Sequence, residues 1–207
     1  MAAGARVLLF AKAPVAGRVK TRLIPVLGAD GAARLARRML EHALGEALST
    51  GLAVELVCEP GPAEPEWAGL IPAGVDVTEQ CDGDIGARMA EAAERTLARG
   101  EHAVLIGADC PGLTAAVIAR AAAGLWDHEA VIVPALDGGY VLLAVREFAA
   151  ELFEGVAWST DAVLAATLER AGALGWRVLV EEALADVDEA ADLKWVPAHW
   201  IASLRSQ

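Results

Sequence analysis

Four cations crowd into "FAKAPVAGRVKTRL", Phe10 to Leu23: Lys12, Arg18, Lys20 and Arg22. They stand among Pro, Gly and small side chains directly after the apolar run "RVLLFA" (6–11), so the segment reads as a loop leaving a strand. Backbone N–H groups exposed around Gly17, with Lys and Arg beside them, suit a phosphate. The same residues also fit a solvated surface loop. "GRVKT" (17–21) is not a nucleoside-triphosphatase P-loop, which needs Gly immediately before the Lys, where Val19 stands.

Carboxylates supply the complementary chemistry. Asp109 ends the strand-like "HAVLIGAD" (102–109), where it can hold Mg²⁺ or Mn²⁺ against a diphosphate or cap its own turn. Asp137, Gly138 and Gly139 lie between "AVIVPAL" and "YVLLAV"; Asp-Gly is a turn signal, and the glycines also let backbone approach a sugar or acceptor while Asp137 accepts a hydroxyl proton. In "DVDEAADL", Asp186 with Glu189 forms a capping-box pattern for the last helix. In "GDIGARM", Asp84 reads as a helix cap, and Arg88 one turn later is placed to reach a phosphate. In "WST", Trp158 either packs in the core or stacks on a sugar or base, and Ser159 or Thr160 caps the following helix. His42, His102, His128 and His199 form no metal or nucleophile pattern, and no GxSxG, HExxH or Cys–His signature occurs.

The elements that must position these residues alternate. Strand-like runs fall at 6–11, 53–59, 75–80, 102–109, 130–136, 140–145 and 176–182. Helical patterns fall at 29–50, 84–100, 114–126, 158–174 and 188–204, the last interrupted by Pro197. This order predicts an α/β fold with a mostly parallel sheet covered by helices on both faces, and ligands gathered at the carboxyl ends of the strands. At 207 residues and 56% hydrophobic, the chain is expected to form one domain, 1–207.

The net charge of −12 argues against broad nucleic-acid binding. Eight of the 17 basic residues nevertheless lie in residues 1–38, against Asp30 alone, which points to a small anionic ligand. No apolar run reaches the roughly 18 residues of a membrane span and no leader pattern is present, so a cytoplasmic protein is expected. Cys58, Cys81 and Cys110 suggest neither disulfides nor a zinc site. Trp195, Trp200, Ile201 and Leu204 are candidates for an oligomer contact or for the core.

Taken in order, "FAKAPVAGRVKTRL", "GDIGARM", "LIGADCPGL", "PALDGGYVLLAV", "WST" and "DVDEAADL" resemble a bacterial family of predicted glycosyltransferases, some associated with arsenosugar biosynthesis. That family is similar to the GT-A nucleotide-diphospho-sugar transferases, which include molybdopterin guanylyltransferase-like proteins. The resemblance runs from about residue 6 to about residue 193. It implies a Rossmann-like GT-A sheet, a nucleotide-sugar donor, a small-molecule acceptor and a divalent cation on Asp109, with Asp188 of "DVDEAADL" as a second candidate near the metal or the phosphates. It also places "GDIGARM" near the base or ribose. The chain departs in having "GADCPGL" where G-S/T-D-x-P-x-L is common, and Ala16 where a second proline is frequent. The opening also resembles that of phospholactate guanylyltransferases, so transfer of a nucleotidyl group from a nucleoside triphosphate, releasing pyrophosphate, is the alternative. A nucleotide-binding module without turnover is the third reading.

Overall fold

The computed structural model describes residues 4–204. Seven strands form one sheet: β1 (Ala5–Lys12), β2 (Ala53–Glu59), β3 (Val75–Glu79), β4 (His102–Gly107), β5 (Ala130–Pro134), β6 (Tyr140–Val145) and β7 (Val178–Val180). Their order is β3-β2-β1-β4-β6-β5-β7. Six strands run parallel and β6 alone is reversed, antiparallel to both β4 and β5. The expected mostly parallel α/β sheet is therefore present, with every expected strand in it.

Side-chain alternation along the strands divides the core in two. Val7, Leu9, Val104 and Ile106 face α1 (Ile24–Ser49) and α3 (Ala115–Gly124). Leu8, Leu105, Ile132 and Leu143 face α2 (Ile85–Leu97) and α4 (Val163–Ala173). A third cluster joins α1 to α5 (Ala198–Leu204), where Trp200 and Leu204 are buried beside Leu35 and Met39. Those two C-terminal residues thus belong to the chain's own core, while Trp195 is half exposed.

Local signals explain most boundaries. Asp84 caps α2 by accepting from the Ala87 amide at 2.9 Å, and Thr114 caps α3 by accepting from Val117. Within α1 a first short turn from Ile24 is set apart by Gly28 (φ 69°, ψ 166°), and the periodic helix expected from residue 29 follows that kink. β1 feeds its helix and β2 on one side, whereas β4 lies on the other. The topology therefore opens a crevice between the carboxyl ends of β1 and β4, where an α/β sheet binds ligands. Among the described residues, no helix is long and apolar enough to cross a membrane.

Candidate functional site

The crevice is a cleft of about 540 Å³, within the range of small-molecule sites. Lys12, Arg18 and Lys20 line one wall, Asp109 and Asp188 stand opposite, and Gln80 and Arg88 close the β2–β3 end. Lys12 is the last residue of β1 and Gly107 the last of β4, so strand register alone sets the two rims. Between them Lys20 adopts a left-handed backbone (φ 47°), an uncommon conformation for a non-glycine residue that turns the loop back into the cleft.

Lys20 holds the centre together. Its largely buried side chain places Nζ 2.8 Å from Asp109 Oδ2 and 3.7 Å from Asp188 Oδ1. Two carboxylates from distant segments thus converge on a single cation. Asp188 arrives because the Val187 amide donates to the Asp109 carbonyl at 2.9 Å and the Val187 side chain is fully buried. Alternation about Val187 leaves Asp186 and Asp188 on the cleft side, Asp188 in the main cleft and Asp186 in a neighbouring pocket of about 180 Å³ with Asp109, Cys110 and Asp137.

Asp186 was expected to cap the last helix. Instead the expected helix divides into a short 3-10 turn, Ala190–Trp195, and α5, and Glu189 caps the turn in a reciprocal box with Asp192, whose Oδ2 accepts from the Asp188 and Glu189 amides. Asp186 is therefore a free site carboxylate, and burial together with the neighbouring Asp137 charge raises its pKa. Burial likewise pushes the Cys110 thiol up to about 11, so it is not a thiolate nucleophile.

The other cations are paired too. Arg88 Nη1 lies 2.5 Å from Glu59 Oε2 and 2.6 Å from Gln80 Oε1, while Lys12 Nζ is 3.5 Å from Glu59 and Arg18 Nη1 is 3.6 Å from Glu66. The Arg88 hydrogen bond, with Lys12 nearby, holds the Glu59 carboxyl below its ordinary range. Arg22 turns away from the cleft, bonds Asp188 and lines a separate groove with it. Gly17 lies exposed at the crest of the loop, and Asp84 is occupied as a helix cap; neither lines the cleft.

Beside the cleft a more apolar pocket of about 220 Å³ is lined by Phe10, Met89, Tyr140, Trp158 and, at its rim, Asp137, Gly139, Ser159 and Thr160. Asp137 Oδ1 accepts from the Gly139 amide at 2.9 Å, fixing the turn before β6. Gly138 (φ 94°) does not leave room for a ligand: an added Cβ would lie 2.3 Å from the Asp161 carbonyl oxygen, so its small size serves the packing of the 157–162 loop. Thr160 does not cap α4, whose first turn has no side-chain cap; its hydroxyl donates to Ala157 O at 2.7 Å. Trp158 packs against the second core cluster and also lines the pocket, its Nε1 buried without a hydrogen-bond partner.

Sequence reasoning missed Gln80, Phe10, Asp186, Leu136 and Trp195 as cavity residues. Gln80, one residue beyond β3, carried a signal in its position at a strand's carboxyl end; its amide donates to Val57 O at 2.9 Å. Among the described residues, no three His, Cys, Asp or Glu side chains are grouped as a ready-made metal site.

Comparison with solved structures places this geometry among transferases. A protein of Desulfovibrio desulfuricans G20 described as a candidate nucleotide-diphospho-sugar transferase shares 30% identity over 95% of this chain and 87% of its own, with a TM-score of 0.87. A nucleotidyl transferase from Methanothermobacter thermautotroptrophicus (18% identity, 96% and 99% covered, TM-score 0.59) shares the fold. So does the Mycobacterium tuberculosis H37Rv protein Rv0371C, solved in complex with manganese (19%, 94% and 97%, TM-score 0.54). No curated protein sequence matches the chain. The sheet is that of the nucleotide-diphospho-sugar transferase (GT-A-like) fold. The family model described as "Uncharacterized protein conserved in bacteria (DUF2064)" covers residues 43–160, more than half the chain and the stretch that supplies Arg88, Asp109 and Asp137, and the chain belongs to that family.

Proposed function

We propose that the chain is a divalent-cation-dependent glycosyltransferase that takes a nucleotide-sugar donor. The observation that carries this reading is the convergence of Asp109 and Asp188 on one cation, Lys20, at the switch point between β1 and β4. The similarity to a protein described as a candidate nucleotide-diphospho-sugar transferase and the motif likeness to arsenosugar-associated glycosyltransferases point the same way.

The nucleoside would lie toward Gln80 and Arg88, its diphosphate against Lys12, Arg18 and Lys20, and the sugar toward the pocket of Trp158, Ser159, Thr160 and Gly139. Asp109 and Asp188 are hard oxygen donors already aimed at a common positive charge, and they fit Mg²⁺ or Mn²⁺, which complete their shells with water. When bound, such an ion offsets charge on a departing nucleoside diphosphate. Lys20 would then pass from the carboxylates to the phosphates. An acceptor hydroxyl would attack the anomeric carbon as the bond to the nucleoside diphosphate breaks, its proton passing to the Asp137 oxygen not engaged by Gly139.

The test is a thermal-shift screen with Mn²⁺ or Mg²⁺ against nucleotide-sugars, nucleoside diphosphates and triphosphates. A ligand at ~100 times its dissociation constant stabilises by about 2.7 kcal/mol. Metal-dependent stabilisation by a nucleotide-sugar, absent in Asp109→Ala, is expected. Stabilisation by triphosphates alone, with pyrophosphate as product, would instead establish nucleotidyl transfer.

A further inference from the structure

A groove of about 380 Å³ opens beyond Asp137 and Asp186, on the far side of those carboxylates from the apolar pocket. Its walls carry two of the chain's exposed large hydrophobic side chains, Leu136 (59% exposed) and Trp195 (50%). Neither position is accidental. Leu136 is fixed where its amide donates to Leu184 O at 3.1 Å, and Trp195 ends the helical turn Ala190–Trp195 that the Glu189–Asp192 box caps. The next residue, Val196, is buried in the third core cluster and so fixes the backbone at Trp195. An indole and a leucine held on the rim of a cavity that reaches candidate catalytic carboxylates form a platform for a flat ligand face.

The charge of this groove is opposite to that of the donor cleft. Five carboxylates line it against two cations, and both cations are engaged: Arg22 by Asp188, and Lys194 by the Trp195 ring, with Nζ 5.3 Å from its centroid. The Lys194 contact also shows that the exposed indole already accepts a cation on its face. Lys20 and Arg22 offset Asp188 and part of Glu189, but Asp137, Asp186 and Asp192 leave the groove net negative, which disfavours an anionic ligand over a neutral or cationic one.

We propose that this groove is the acceptor subsite, and that it selects an acceptor without negative charge which lays a flat apolar or aromatic face on Trp195 and directs a hydroxyl toward Asp137 and Asp186. The proposal rests on the reading of the main cleft as the donor site. It disfavours an acceptor that attacks through a phosphate, and so separates sugar transfer from nucleotidyl transfer by electrostatics.

The test uses three probes of one shape and different charge, tyrosol, tyramine and 4-hydroxyphenylacetate, followed by saturation-transfer NMR on the full chain. Tyrosol and tyramine should bind, with 4-hydroxyphenylacetate weaker by about fivefold or more. Trp195→Ala should weaken tyrosol by about fivefold, and Leu136→Ala should weaken it as well. Because both side chains are half exposed or more, each variant should melt within a few degrees of the wild type, which confirms that it is folded. Equal or tighter binding of the anion, no response to either substitution, or no binding of any probe at millimolar concentration would overturn the proposal. Nucleotide-sugar thermal shifts on the same preparations separate the two ideas. If those shifts persist while the probes fail, only the acceptor assignment falls. If the probes behave as expected but no nucleotide-sugar shifts the protein, the donor reading falls, and the acceptor role with it.

Discussion

Lys20 carries two jobs on one side chain. In the ligand-free chain it neutralises Asp109 and Asp188, and on the proposed reading it later contacts phosphate. Lys20→Met should therefore weaken nucleotide-sugar binding about tenfold or more while tightening Mn²⁺ alone, because the competing ammonium is gone; isothermal titration of each ligand separately checks both signs. Glu59 gives a pH-dependent counterpart. Its carboxyl sits below the ordinary range through Arg88 and Lys12, so its contribution to stability is present at neutral pH and is lost as pH falls through that lowered value. Glu59→Gln should melt lower than wild type at pH 7, and the two melting curves should converge in acid. Lys20 stood out in the basic loop and Asp109 at a strand end, whereas Asp109 and Asp188 as ligand candidates came with the family resemblance. Asp186 was not legible, because "DVDEAADL" fits a capping box in two registers, Asp186 with Glu189 or Glu189 with Asp192. Only the tie between Val187 and the Asp109 carbonyl, a contact across 78 positions of chain (187−109=78), selects the second.

At the level of elements, strands and helices were legible where period and caps agreed, as at Asp84 and Thr114. The turn before β6 and the loop after residue 156 were read as ligand-binding, but much of their chemistry is mutual packing. Gly86 sits under the Trp158 indole, where a Cβ would lie 2.2 Å from Nε1. Gly86→Ala should cost about 1–3 kcal/mol by urea unfolding, because the indole must move. Gly138→Ala should cost more, about 3 kcal/mol in the same assay, since both its positive φ and the Asp161 backbone oppose a side chain. Sequence patterns predict that a residue is glycine for a reason, yet not whether ligand or protein fills the space. The reversal of β6 carried a signal of its own, the Asp-Gly turn between two strand-like runs, because so short a connection joins antiparallel strands.

Across the whole molecule, charge is sorted rather than spread. In a chain of net charge −12, the main cleft is lined by Lys12, Arg18, Lys20 and Arg88 against Asp109 and Asp188, whereas carboxylates outnumber cations in the groove beyond Asp137. Donor affinity should accordingly fall about tenfold as ionic strength rises from about 0.01 M to about 1 M, where the screening length shrinks from ~30 Å to ~3 Å. Arg18→Ala should flatten that dependence in the same titrations. The reversed strand has a mechanical consequence as well. Because β6 returns beside β5 through the short turn at Asp137–Gly139, that side of the apolar pocket next to the cleft is stitched into the sheet on both sides. The loop between Lys12 and Leu23 is pinned by buried Ala13, Val19 and Leu23 and carries in addition ion pairs to Glu59, Glu66, Asp109 and Asp188. On the proposed reading a nucleotide-sugar would trade places with those carboxylates, so its arrival would loosen the loop's polar ties while leaving its buried anchors in place.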